Sequence, residues 1–448
     1  MTSSRIFTGI AGWLAFALVA ALKVSAAEST APGNRPERVE WFRDLGFGLF
    51  IHWSVDSQLG IVISHSLVGA SADYTERFFQ LGKTFDPQDF QPRRWAKLAK
   101  LAGMNYMVFT TKHHSGFCMF ETATTDFAIK HTPYARDLTR PLIEAFRAEG
   151  IAVGFYFSPD DFHFLHRQGR AISRDAPHAN PTNNPALMRH NQAQLRELLT
   201  NYGPVDVLFL DGEPAGLKEL AWELQPELVV TRGEMTTPEE HLPGQPLPGA
   251  WEACFPMGTQ WHYKPTNERY KTGKQLIEML IETRAKGGNL LLNIGPTPDG
   301  AIPFEQERLL REVAAWMFIN REAIQGTRPW HVTDEEQVNR DAGVWFTQAR
   351  DGSAVYACIT GVPWAWGTRR EFVFASLQAT DRTQVSVLGE SGRELEYRPD
   401  VDPRPAWRNT PQGLHVSAMR TKRVYNDYDW PNAVVLKLTH VKPSEKRP

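Results

Sequence analysis

The spacing of apolar positions changes character once along the chain. From Glu40 to about Trp330, short β-branched or aromatic runs alternate with longer stretches whose apolar residues recur at helical spacing, the pattern of βα units around a parallel sheet. Seven runs read as strands: FGLFIHW (47–53), YMVFTTK (106–112), VGFYFS (153–158), VDVLFLDG (205–212), LVVTRG (228–233), AWEACF (250–255) and NLLLNIG (289–295). Several are apolar on both alternating faces, which suits strands covered by helices on one side and packed into a barrel on the other. Segments 92–103, 140–150, 185–203, 273–288 and 304–320 carry the helical spacing, and four of the five end on glycine, a common helix terminator. Seven or eight such right-handed units close most simply into a (β/α)8, TIM-type barrel, although no eighth strand run is visible. An open doubly wound sheet is the alternative, and no Gly-rich phosphate loop follows the first run to favour it.

Past Trp330 the helical spacing stops. The runs GVWFTQA, GSAVYACIT, REFVFASL, TQVSVLG, GLHVSAM and NAVVLKLTHV are short, of period two, and broken by Gly, Asp and Pro, predicting a second domain over 331–448 that is an antiparallel β-sandwich. The catalytic barrel is expected over 38–330. Residues 1–26 form a third unit: Arg5, an apolar stretch from Ile6 to Leu22, then small residues up to Ala26, the layout of a cleavable secretory signal. A retained anchor helix is the competing reading. Export to a periplasmic, extracellular or lysosome-like compartment follows from the first, with no membrane attachment after cleavage.

Losing that leader removes Arg5 and Lys23, so the basic count falls from 49 to 47 against 51 acidic residues. This even mixture argues against a nucleic-acid partner or an anionic membrane and favours an uncharged one. Three widely spaced cysteines, Cys118, Cys254 and Cys358, make neither a disulfide framework nor a zinc signature.

In a barrel, chemistry sits where strand C-termini meet their loops. The polar residues there are His52 and Trp53, Lys112, His113 and His114, Tyr156 and Ser158, Asp211 and Glu213, Arg232, Glu252 and Asn293. Carboxylates, imidazoles and aromatic faces in one basin suit a neutral polyhydroxylated substrate, with two carboxyl groups for bond cleavage. Asp211 with Gly212 also reads as a plain turn, but a carboxylate closing the run VLFL is partly desolvated and must be paired or used. Arg232 is expected to balance the carboxylates. Adjacent His113 and His114 are expected on opposite faces of a strand, so that they do not chelate one metal together. A metal-dependent hydrolase would need His-x-His after the first strand, where FIHWS has one histidine. No metal or cofactor is expected.

The segments FGLFIHW, AGMNYMVFTTKHHSGFCMFET, GFYFS, YGPVDVLFLDGE and GGNLLLNIGPTPDG closely resemble, in order over about residues 38 to 330, the retaining α-L-fucosidase family of glycoside hydrolases. The resemblance implies a (β/α) barrel followed by a β-sandwich, and release of terminal α-L-fucose from a fucosylated glycan or glycoconjugate with retention and without metal. It implies that Asp211 is the nucleophile, that His52, His113 and His114 hold sugar hydroxyls, and that Tyr156 belongs to the sugar site, with Trp53, Arg232 and Trp261 as further substrate contacts. For the acid/base it offers two positions: Glu239, from TTPEE, and Glu252, from AWEAC, nine residues before the Trp of QWHYKP. Glu240 is a bystander. One departure stands out. Family members carry a Glu-Trp pair after the first strand, whereas this chain has SHSLVGASADYTERFF, leaving Asp73 and Tyr74 as stand-ins or implying a related sugar such as an α-L-galactoside. A barrel without turnover that holds glycans, aided by Trp364, Trp366 and Trp407, is the non-enzymatic alternative.

Overall fold

The computed structural model describes residues 32–336, 342–424 and 432–444. The expected signal segment, 1–26, lies outside the described residues.

Each of the seven runs forms one strand: β1 (Phe47–Ile51), β2 (Tyr106–Lys112), β3 (Ala152–Phe157), β4 (Val207–Leu210), β5 (Val229–Val230), β6 (Glu252–Pro256) and β7 (Asn289–Ile294). They make a parallel sheet of order β5-β4-β3-β2-β1-β7-β6. Period two sorts the side chains. Phe50, Tyr106, Val108, Tyr156, Val207, Phe209 and Leu291 cluster inside the curved sheet, while Leu49, Met107, Phe155, Leu208 and Leu292 pack in the larger cluster beneath the helices. Both faces are therefore buried, which is why the runs are mostly apolar.

All five predicted helices are present, at Pro92–Leu101, Thr139–Ala148, Pro185–Asn201, Gly273–Ala285 and Phe304–Asn320. Gly103, Gly150, Gly203 and Gly287 follow the first four at φ between 67° and 90°, the left-handed turn that lets the chain re-enter the sheet.

Among the described residues there is no eighth strand. The gap between β5 and β6 is partly closed by segment 236–240, which runs beside β6 through bridges Thr236–Trp251 and Glu239–Cys254. The Cys254 N–H donates to the Pro238 carbonyl at 3.1 Å, and the Glu240 N–H donates to the Cys254 carbonyl at 3.0 Å. Pro238 has no N–H of its own, so the pairing cannot extend into a regular strand. Its effect is to fix Glu239 at the rim.

The C-terminal part is two antiparallel sheets. One has the order β12-β15-β10-β9-β8 and the other β11-β14-β13, built from β8 (Thr327–Glu336), β9 (Gly343–Ala349), β10 (Ala354–Thr360), β11 (Arg369–Phe374), β12 (Leu377–Val387), β13 (Ala406–Thr410), β14 (Gly413–Met419) and β15 (Val434–Pro443). Val344, Phe346, Ala357 and Ile359 of the first sheet meet Phe372, Phe374, Leu414 and Val416 of the second, so the expected sandwich forms. Trp364 is buried in that core, as a packing residue and not a sugar platform.

The two parts are pinned together by cations. Buried Arg284 donates to the carbonyls of Ile324 and Thr327, and Arg328 bridges Glu40 and Asp44 at 2.8 Å each. The three cysteines are free and buried.

Candidate active site

A cleft lined by imidazole, aromatic and carboxylate side chains opens at the C-terminal ends of the strands. Val207 and Phe209 point inward from β4, and the same period carries Asp211, one residue past the strand, to the inner side. Its Oδ2 accepts the Tyr156 hydroxyl at 2.8 Å and lies 3.5 Å from His114 Nε2. Its Oδ1 accepts Arg232 Nη1 at 3.1 Å, with Arg174 Nη2 at 3.9 Å. Glu213 instead accepts the Ala215 N–H in the following turn.

Arg232 reaches two acids at once: Nη1 goes to Asp211, while Nη2 donates to Glu239 Oε2 at 2.8 Å. The opposite walls are aromatic and imidazole. His52 is held through Nδ1 by Asn293 Oδ1 at 2.7 Å, His113 through Nδ1 by Ser64 Oγ at 2.8 Å, and His114 through Nδ1 by Ser158 Oγ at 2.6 Å. In all three rings Nε2 is the nitrogen left for a ligand. His113 stacks on Tyr156 with centroids 5.3 Å apart, and Trp261 tilts against His52 at 5.0 Å. Phe50, Phe209 and Cys254 form the floor.

Burial would raise the Asp211 carboxyl, but His114, Arg232, the Tyr156 hydroxyl and Arg174 outweigh it and hold it well below the usual carboxylate range. Burial pushes His114 itself down to about 3 and His52 to about 4. Both rings are therefore neutral at ordinary pH, and the positive charge that keeps Asp211 ionised is that of the Arg232 and Arg174 guanidinium groups facing it. Asp160, beneath them, is pushed up to about 6 by burial despite its 2.8 Å contact with Arg174.

Among the described residues, His113, His114 and Asp211 bring one potential ligand atom each within 4.8 Å of one another. A metal ion at that point would meet two guanidinium charges already spent on the carboxylate, so the set suits a neutral ligand better than a cation.

Two candidates lie elsewhere. Glu252 is the first residue of β6 and not the last, and it is fully buried with Oε2 accepting the hydroxyl of Tyr106, the first residue of β2, at 2.5 Å. It sits at the opposite end of the barrel from Asp211 and cannot reach a ligand in the cleft. Trp53 has the opposite parity to Phe50 and His52. It packs outward against Phe85, Phe90 and Trp95 and donates Nε1–H to the Thr297 carbonyl at 3.0 Å.

A third expectation is corrected by the backbone. His113 and His114 both face the cleft, with centroids 4.2 Å apart, because the register of β2 shifts between Thr110 and Lys112 and the chain turns at once, Gly116 N–H donating to the His113 carbonyl. Lys112 is thereby sent away from the cleft, to Asp161 and Asn191. Asp73 and Tyr74 do not replace the missing pair: they lie on the helix Ala72–Phe79, where Asp73 accepts from exposed Arg77.

Known proteins similar to this chain are fucosidases. The family model described as Alpha-L-fucosidase matches residues 19–322. The plasma alpha-L-fucosidase of Rattus norvegicus is 30% identical over 403 residues, covering 80% of this chain and 84% of its own. The chain belongs to the alpha-L-fucosidase family. Among solved structures, alpha-L-fucosidase isoenzyme 1 from Paenibacillus thiaminolyticus superposes with a TM-score of 0.72 at 28% identity, covering 91% of this chain and 99% of that one. The Thermotoga maritima alpha-fucosidase, solved with a mechanism-based inhibitor, gives 0.71 at 25% identity over 89% and 96%.

Besides the floor residues Phe50, Phe209 and Cys254, three residues of this fucosidase's cleft were not among the sequence candidates. Arg174 comes from the long loop after β3, Ile63 and His65 from the segment after β1. No periodicity marks any of them. His65 does fall within SHSL, where the family's usual pair is missing, and that departure was the available signal.

Proposed function

We propose that this fucosidase hydrolyses terminal α-L-fucosyl linkages of glycans or glycoconjugates by double displacement, with Asp211 as nucleophile and Glu239 as acid/base. The observation that carries the reading is the single guanidinium of Arg232 held between the two carboxyl groups, at 3.1 Å from Asp211 and 2.8 Å from Glu239. In the first step an Asp211 oxygen bonds to the anomeric carbon as the bond to the leaving oxygen breaks, and that oxygen takes the proton of the Glu239 carboxyl group. In the second, Glu239 takes a proton from water, the water oxygen bonds to the anomeric carbon, and the Asp211 ester oxygen leaves as carboxylate.

The environments suit these roles. Asp211 is kept ionised by fixed cations and is 19% exposed, whereas Glu239 is 44% exposed and open to water at the rim. His52, His113 and His114 offer Nε2 atoms to hydroxyl groups, and Trp261 and Phe50 supply faces for C–H groups. Neutral rings are apt for an uncharged sugar, since each serves as donor or acceptor without burying a charge.

The test is the anomer of the first sugar released from an aryl α-L-fucoside, followed by NMR, together with Asp211→Ala. We expect α-L-fucose to appear first and turnover to fall by about 10³-fold or more in the variant. First appearance of the β-anomer, or a variant with near-parent turnover, would remove Asp211 from the role.

A further inference from the structure

A buried acid behind the cleft, Asp56, is used by none of the chemistry above. It is wholly buried in the turn after β1, and its Oδ2 accepts the backbone N–H of Ser64 at 2.6 Å. Ser64 is held at φ 59°, ψ −35°, a conformation that a non-glycine residue adopts only when its surroundings enforce it. Its hydroxyl does two things at once. It accepts the Ser115 N–H at 2.9 Å and pairs with His113 Nδ1 at 2.8 Å. The next residue, His65, lines the cleft with its ring 5.2 Å from that of His114.

On the far side of Asp56 stands His262, with Nε2 3.8 Å from Oδ1 and neither ring nitrogen bonded to any described residue. His262 follows Trp261 of the opposite wall. Its segment lies against β7 so closely that a Cβ at Gly295 would come within 2.5 Å of the His262 carbonyl carbon. At 3.8 Å the imidazole does not hydrogen-bond the carboxylate; the short bond from the Ser64 N–H, with Ser54 also beside the carboxyl group, ties Asp56 to the turn.

We propose that Asp56 is a positioning residue for the hydrolytic site: by holding Ser64 in its left-handed conformation it aims His113 at the bound sugar. The chain of contacts is Asp56 Oδ2 to Ser64 N–H, then Ser64 Oγ to His113 Nδ1, then the His113 ring stacked on Tyr156, whose hydroxyl bonds Asp211. Removing the acceptor leaves a buried N–H unpaired and allows the turn to relax toward an ordinary φ, displacing the hydroxyl on which His113 depends.

This rests on the reading of the cleft as the sugar site, and the test keeps the two apart. kcat and KM for an aryl α-L-fucoside are measured for the parent, Asp56→Ala, Asp56→Asn, His113→Ala and the double variant Asp56→Ala/His113→Ala. Loss of activity in His113→Ala alone reports on the cleft; the coupling between the two positions reports on Asp56. We expect Asp56→Ala to lower kcat/KM by roughly ten- to a hundredfold and to cost less than about threefold when His113 is already absent. Asp56→Asn, which keeps an acceptor of the same shape for Ser64, should recover most of the loss.

A purely structural role would give the same factor with or without His113, and that additivity overturns the proposal. So does an Asp56→Asn variant that is folded yet as impaired as Asp56→Ala. If Asp56→Ala does not fold, Asp56→Ser, too short to reach Ser64, takes its place in the same cycle with the same two outcomes.

Discussion

Glu252 is a carboxyl group in the wrong place for catalysis, and its surroundings make a quantitative demand on stability. It is fully buried, and burial pushes it from an ordinary 4.5 up to about 7 against the opposing pull of the Tyr106 and Thr231 hydroxyls and the Arg232 charge. A raised value means that between pH 4.5 and 7 the folded protein keeps a proton that the unfolded chain has lost. The contribution to stability is thus complete below about pH 4.5 and is lost as the pH rises through 7. A rise from 4.5 to about 7 corresponds to about 3 kcal/mol, a large share of a typical folding free energy. Glu252→Gln keeps an acceptor for the Tyr106 hydroxyl and cannot ionise. It should match the parent near pH 4.5 and exceed it by about 3 kcal/mol at pH 8 in urea-denaturation midpoints converted to free energy. The buried histidines do not confuse the comparison. His52, His114 and His262 are all pushed down, so their effect has the opposite sign, stability rising with pH up to about 6.5, and it cancels in the difference between parent and variant. Parallel pH profiles for the two proteins would refute the argument, as would a large loss of turnover in Glu252→Gln, which would return that residue to the chemistry.

Two further outcomes separate roles inside the cleft from packing outside it. Glu239→Ala should slow fucosides with poor leaving groups by about 10²-fold or more while sparing activated aryl fucosides in their first step; equal losses across a leaving-group series would deny it the acid role. Trp53→Phe, on the helix side of β1, should lower the unfolding free energy by about 1–3 kcal/mol with KM for the fucoside unchanged, and a KM rise without loss of stability would show that Trp53 faces the sugar after all.

What the sequence disclosed depended on whether a residue's surroundings repeat. The seven barrel strands are buried on both faces, so each leaves a mostly apolar run. The two sandwich strands that leave no such run, β8 and β13, are edge strands with one neighbour each, and β13 is exposed at Ala406, Trp407, Arg408 and Asn409. The closing segment 236–240 is hidden for another reason: Pro238 interrupts it, and its pairing with β6 is two bridges long. Arg174 has no periodic context at all; it is held at the cleft by Asp160, fourteen residues earlier in the chain.

Parity and position within a strand were nonetheless readable, and together they sort the acids and aromatics. In FGLFIHW, Phe50 and His52 share a face that Trp53 cannot share. Asp211 follows the last residue of β4, where Arg232, Arg174 and a tyrosine hydroxyl keep a carboxylate charged; Glu252 opens β6, where a dry core favours its proton over the opposing pull of a tyrosine hydroxyl. Two carboxyl groups on the same sheet are thus driven in opposite directions by which end of a strand they occupy. The end that gathers loops is the one that can gather cations and expose a charged oxygen to a ligand, so the chemistry follows the strand's direction.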